Sequence, residues 1–91
     1  MNLFELRRKR AQELMVQHDT EALQVTSKEN YYYLTGDMRN VARLFLPQKG
    51  KPIVIVFAEE VESAREATGI EDVRGWRSAQ ELMRTFFSIV K

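Results

Sequence analysis

Cysteine is absent from the 91 residues. That excludes a disulfide framework and thiolate metal ligands, and it sits easily with a reducing compartment, so the cytoplasm is the expected location. Histidine occurs once, at His18, too sparse for an imidazole-rich metal centre or for the base that would activate Ser63, Ser78 or Ser88. The four glycines, Gly36, Gly50, Gly69 and Gly75, are isolated from one another and build no phosphate-cradling loop. An excess of charge of one sign is missing too. Fourteen Lys and Arg stand against thirteen Asp and Glu, a formal net charge of +1, so overall electrostatics imply neither a nucleic acid nor an anionic membrane as partner. No apolar stretch is long enough to span a bilayer. After the basic run Arg7-Arg8-Lys9-Arg10, the polar residues Gln12, Glu13, Gln17 and His18 leave no room for the apolar region of a signal peptide.

What is present is the balance of a folded chain, 44% hydrophobic and 30% charged, with length for one domain over residues 1–91. Leu3, Phe4, Ala11, Leu14 and Met15 fall on one arc of a helix running to His18, with Arg7 intruding and Asp19 ending it. Ala22–Thr26 is short, apolar and β-branched at its end, and reads as a buried strand. Ser27 is placed to cap a helical turn through Tyr31-Tyr32-Tyr33, and Gly36 to end it in a left-handed conformation. Ala42–Leu46 and Ile53–Phe57 read as two arms of a hairpin around Pro47-Gln48-Lys49-Gly50-Lys51-Pro52. The unbroken apolar run of the second arm predicts a central strand covered on both faces. Ala58–Thr68 is a helix with Glu59 and Glu60 at its start and Gly69 past its end. Asp72–Gly75 reads as a weak strand. Ser78-Ala79-Gln80-Glu81 is a capping box opening a last helix with Leu82, Met83, Phe86, Phe87 and Val90 on one face. The fold class is therefore α/β, a mixed sheet flanked by helices.

Leu14-Met15, Ala22-Leu23, Val25-Thr26-Ser27, Glu29-Asn30 and Tyr33-Leu34-Thr35-Gly36 together resemble, without a gap, the opening of the creatinase/prolidase N-terminal domain of Xaa-Pro metallopeptidases. Asn30, Tyr33, Leu34, Thr35 and Gly36 form the most specific part of the match. Asp19-Thr20 stands where a glycine and an apolar residue are usual, a change aspartate can accommodate because it tolerates left-handed backbone angles. The resemblance implies a ribonuclease H-like motif. It also implies that the last elements of the domain, and a separate pita-bread catalytic domain binding two divalent metal ions, are missing from this chain. No cofactor or metal ligand is expected within it.

The residues themselves offer no catalytic constellation. Glu59-Glu60 and Glu71-Asp72 are adjacent carboxylates, but neighbours on a helix or strand point apart, so each pair reads as helix-start charge or a solvated turn. His18 reads as a surface residue near a helix end. Four consecutive basic residues on a helix point around its whole circumference, so Arg7–Arg10 reads as a solvated, partly paired surface. The expected role is a non-catalytic accessory and dimerisation domain. The resemblance implies that the loop Asp37, Met38, Arg39, Asn40 approaches a partner subunit's active site and restricts access. Arg39 is either a bidentate clamp for a substrate carboxylate or a solvated loop charge. A sheet edge or the apolar side of the last helix, with Phe86, Phe87, Ile89 and Val90, would carry association into a homodimer or onto a separate catalytic chain. The alternative role is a small-ligand or nucleic-acid binding module gripping its target with Tyr31–Tyr33 and Arg39. No membrane partner is expected.

Overall fold

A computed structural model describes residues 2–90, with side-chain surroundings as far as Ile89. The chain forms α1 (Leu3–Gln17), β1 (Ala22–Val25), α2 (Lys28–Thr35), β2 (Arg43–Pro47), β3 (Ile53–Phe57), a 3-10 turn (Ala58–Glu60) leading into α3 (Val61–Thr68), β4 (Val73–Trp76) and α4 (Ala79–Val90). The strands make one sheet in the order β1-β2-β3-β4, antiparallel from β1 to β3 and parallel between β3 and β4. The fold is thus the mixed α/β sheet with flanking helices that the sequence predicts.

The start and stop signals act where the residues place them. Ser27 Oγ accepts the Asn30 N–H at 3.2 Å, and Gly36 closes α2 at φ 79°. Asp19 leaves α1 at φ 58°, a left-handed value that a short polar side chain tolerates better than a bulky one. Ser78 Oγ accepts the Glu81 N–H, while the Glu81 carboxylate reaches back to the N–H of Arg77, one residue before the usual capping-box partner.

Register fixes which side chains share a face. Leu23 and Val25 sit opposite Leu46 and Leu44, and Leu44 opposite Val54, so these residues line the face that carries α1, α2 and α3. The core there joins Val25, Leu44, Val54, Val56 and Val73 to Tyr31, Leu34, Ala64 and Ile70. The opposite face bears Phe45, Ile55, Phe57, Arg74 and Trp76; α4 lies against β4, where the Arg74 guanidinium donates to Ser88 Oγ at 3.3 Å. Val54, Ile55 and Val56 are all buried, so β3 is the two-sided central strand its apolar run predicts.

Three expectations are corrected. β1 is an exposed edge strand in which only Val25 is buried, because among the described residues β2 is its one strand neighbour. The inward stripe of α1 is Phe4, Arg8, Ala11 and Met15, while Leu3 and Leu14 are exposed. The basic run is not a uniformly solvated surface: Arg8 is 8% exposed and donates to the Leu34 carbonyl at 2.8 Å. Its burial lowers the guanidinium's pKa, partly opposed by Glu5, so α1 docks by completing the C-terminal end of α2.

Candidate functional site

The loop after α2 is built from its own residues before anything distant touches it. Thr35 Oγ1 donates to the Tyr31 carbonyl at 2.7 Å and accepts the Asp37 N–H at 3.2 Å, which turns the chain sharply at Gly36. A side chain at Gly36 would need a left-handed backbone and would place its Cβ 2.7 Å from the Phe4 ring. The glycine is therefore required both by the turn and by the packing of α1.

Asp37 turns inward. Its carboxylate accepts the Tyr31 hydroxyl at 2.7 Å and the Arg39 Nε–H. Arg39 then reaches across to α3, donating through Nη1 to Glu60 Oε1 at 2.8 Å and to Ser63 Oγ at 3.1 Å. Tyr31 is 1% exposed; burial and the hydrogen bond to Asp37 push its hydroxyl well above the usual tyrosine range. Burial alone would lower the pKa of Arg39, but its bonds to Asp37 and Glu60 outweigh that and hold it raised. One cation thus neutralises two carboxylates, and the strand-side loop is tied to the start of α3.

What remains on the surface mixes aromatic and charged side chains. Met38, at 70% exposure, lines an open hollow with Tyr32, Lys28 and Glu29. Arg7 lies over the Tyr33 ring at 4.2 Å and the Phe4 ring at 5.3 Å and donates to the Tyr33 carbonyl at 3.0 Å. Phe4 meets Tyr32 edge-to-face at 6.1 Å.

The structure therefore brings together only some of the residues singled out in the sequence. Asp37 and Arg39 share one network, Met38 and Asn40 face outward, and Asn30 supplies its backbone N–H to the cap of α2. Thr35 and Gly36 form the turn, Leu34 is core, and Tyr33 is exposed beneath Arg7. Tyr31 is withdrawn from Tyr32 and Tyr33 into the interior, and Arg39 is engaged with acidic partners of the chain itself, so of the four residues expected to grip a ligand Tyr32 and Tyr33 are left exposed. Glu60 and Ser63 belong to the site although nothing local in the sequence marks them. On α4, Phe87 is 60% and Met83 53% exposed, and Phe86 and Ile89 are half-buried. The side chain of Val90 lies outside the described residues.

The donor set does not suit a dinuclear metal centre. Asp37 and Glu60 are bound by the same guanidinium, His18 is exposed at the far end of α1, and among the described residues no three His, Asp or Glu side chains converge.

A family model described as the creatinase/prolidase N-terminal domain matches residues 7–91. The chain belongs to that family. Solved structures share its fold at low identity. The creatinase/prolidase N-terminal domain of an X-Pro dipeptidase from Streptococcus pyogenes superposes with a TM-score of 0.82 at 19% identity, over 93% of this chain and 67% of its own. The corresponding domain of a metallopeptidase from Corynebacterium diphtheriae gives 0.77 at 17% identity, over 85% and 62%. A prolidase from Thermococcus sibiricus gives 0.82 at 24%, over all of this chain and 25% of the prolidase. The chain therefore spans about three fifths of the corynebacterial domain and a quarter of the prolidase. No curated protein sequence matches it significantly. Only the N-terminal, non-catalytic portion of such peptidases has a counterpart here.

Proposed function

We propose that this chain is a non-catalytic accessory domain of the proline-specific metallopeptidase type, acting in the cytoplasm as a homodimer or beside a separate catalytic chain. The observation that carries the reading is the network Tyr31–Asp37–Arg39–Glu60, set in a domain matched by its family over residues 7–91. Every charge in it is satisfied within the chain, so it holds a loop in shape and leaves no free base, nucleophile or metal ligand.

The loop Asp37–Asn40 then restricts access sterically. Arg39 gives up the role of substrate clamp and becomes the strut that presents Met38 and Asn40 outward. Divalent metal and the hydrolytic step belong to the catalytic partner.

The test is an Xaa-Pro dipeptide assay on the purified chain with and without added Mn2+, reading released proline. No release above the buffer blank is expected. Metal-dependent turnover that scales with chain concentration would overturn the accessory reading.

A further inference from the structure

The open edge of β1 carries information about its partner. Gln48 N–H donates to the Glu21 carbonyl at 2.8 Å. In the register that pairs Ala22 with Pro47 and Leu23 with Leu46, that bond sets the phase of the ladder, because bonded and non-bonded pairs alternate along antiparallel strands. Leu23 and Val25 therefore exchange bonds with β2. The N–H and C=O groups of Ala22 and Gln24 point away from it, and Thr26, the residue just past the ladder, is next in the same alternation. Pro47 agrees with this phase, since a residue without an N–H fits only opposite a non-bonded position such as Ala22.

Apart from its shortness, four residues, this edge lacks the usual protection. Strands that stay unpaired carry lysine, proline, a bulge or an inward charge, whereas Ala22-Leu23-Gln24-Val25 is a regular strand and neither it nor the following Thr26 carries a charge. An open groove of 430 Å³ runs alongside it, lined by Leu23 to Ser27 and by Asn30, Tyr33 and Leu34 of α2. A second, more apolar hollow of 260 Å³ lies toward the start of the strand, lined by Leu23, by Ala11, Leu14 and Met15 of α1, and by His18 and Thr20 just after it. There is room for one more strand, and one side of that strand would meet apolar surface.

We propose that β1 pairs antiparallel with β1 of a second copy of this chain, about a two-fold axis through Gln24, joining the two sheets into one. The sequence is complementary to itself in this register. Gln24 faces Gln24 at a bonded position, and Ala22 faces Thr26, so the outward groups of one copy meet those of the other. Leu23 faces Val25 on the side beneath α1 and α2, making two apolar cross-strand pairs. No like charges meet across the axis. Glu21 of each copy arrives beside the Ser27–Lys28 corner of the other, where the charges are opposite. A shift by one residue would turn every side chain to the wrong face, and a shift by two would bring Leu23 opposite itself or Val25 opposite itself and leave outward groups unmatched at the ends. The interface is small, so the dimer forms with a dissociation constant on the order of micromolar. The pairing rests on the homodimer form of the proposed function and gives it a surface; the non-catalytic reading has its own test in proline release, so its failure is distinguishable from failure of the pairing.

Sedimentation equilibrium of the purified chain from about 1 to 200 µM, a range chosen around that affinity, tests the pairing. A reversible dimer is expected. Gln24→Pro removes an outward donor without touching the bonds to β2, so the variant keeps its circular dichroism and weakens dimerisation by about tenfold or more. Gln24→Lys sets like charges against each other and gives a folded monomer; mixing it with Gln24→Glu restores the dimer as a mixed pair. A wild-type chain that stays monomeric throughout, as it would if the edge served a strand of some other polypeptide, overturns the proposal. So does a dimer that both Gln24→Pro and Gln24→Lys leave intact.

Discussion

Tyr31 and Asp37 show how much of this molecule rests on single side chains. The Tyr31 hydroxyl is buried and donates to a carboxylate that is itself 7% exposed. Tyr31→Phe removes the donor and keeps the ring, so its expected cost at neutral pH is about 1–3 kcal/mol, the usual penalty for stripping a buried group of its partner. The cost has a defined pH dependence. Tyrosine in an unfolded chain ionises near pH 10, while folded Tyr31 keeps its proton to higher pH. Above about pH 10 the folded state therefore binds more protons, and the stability Tyr31 provides falls with rising pH at up to about 1.4 kcal/mol per unit. Urea unfolding of both proteins between pH 7 and 11 should show a gap that is constant below pH 9 and narrows above 10. A gap that widens there would contradict the burial and bonding of the hydroxyl.

At the scale of elements, two glycines that look alike in the sequence are kept for different reasons. Gly69 ends α3 at φ 71° with open space where a Cβ would go, whereas at Gly75 a Cβ would lie 2.7 Å from the Ala58 Cα and 2.8 Å from Val61 Cγ2. Gly69→Ala should cost about 1–2 kcal/mol from backbone handedness alone, and Gly69→Asn less, because asparagine accepts the left-handed region. Gly75→Ala should cost about 1–3 kcal/mol through overpacking of β4 against the start of α3, with Gly75→Asn no better. Thermal melts of the four variants separate the two causes, since asparagine improves on alanine only at Gly69.

The same contrast explains what the sequence discloses. Caps and strand runs depend on residues within a few positions of one another, so Ser27, Gly36, Ser78 with Glu81, the hairpin around Gly50 and the two-sided burial of β3 are all legible. The inward stripe of α1 is not, because an apolar count favours Leu3 and Leu14 over Arg8, whose acceptor lies 26 residues away. The exposure of β1 depends on sheet order, which a strand's composition does not encode. At the candidate site the turn Thr35-Gly36-Asp37 is readable, but the engagement of Arg39 is not, since Glu60 and Ser63 lie 21 and 24 residues further on.

Seen as a whole molecule, the chain is asymmetric about its sheet. Three helices cover the face with the core, while α4 lies against β4 on the other and leaves Met83 and Phe87 exposed. Its contacts also divide by distance along the chain. The β2–β3 hairpin closes across Gln48–Pro52, and α3 follows β3 through a single 3-10 turn. Helix α1 joins only through remote partners: Arg8 to the Leu34 carbonyl, and Gln12 to the carbonyls of Pro47 and Gly50, at separations of 26, 35 and 38 residues.

That buried arginine has a consequence in time as well as in space. Closing long loops costs more entropy than closing a hairpin, which predicts that the hairpin with α3 forms the folding nucleus and that α1 docks after the barrier. The bond from Arg8 is then absent from the transition state. Arg8→Met, expected to destabilise by about 1–3 kcal/mol, should speed unfolding by roughly tenfold for each 1.4 kcal/mol lost and leave the folding rate within about twofold. Stopped-flow chevrons would show this as a raised unfolding limb over an unmoved folding limb. A slowed folding limb would mean that α1 docks early. On this account Arg8 acts as a latch on a structure already assembled, setting how long the fold lasts and not how fast it forms.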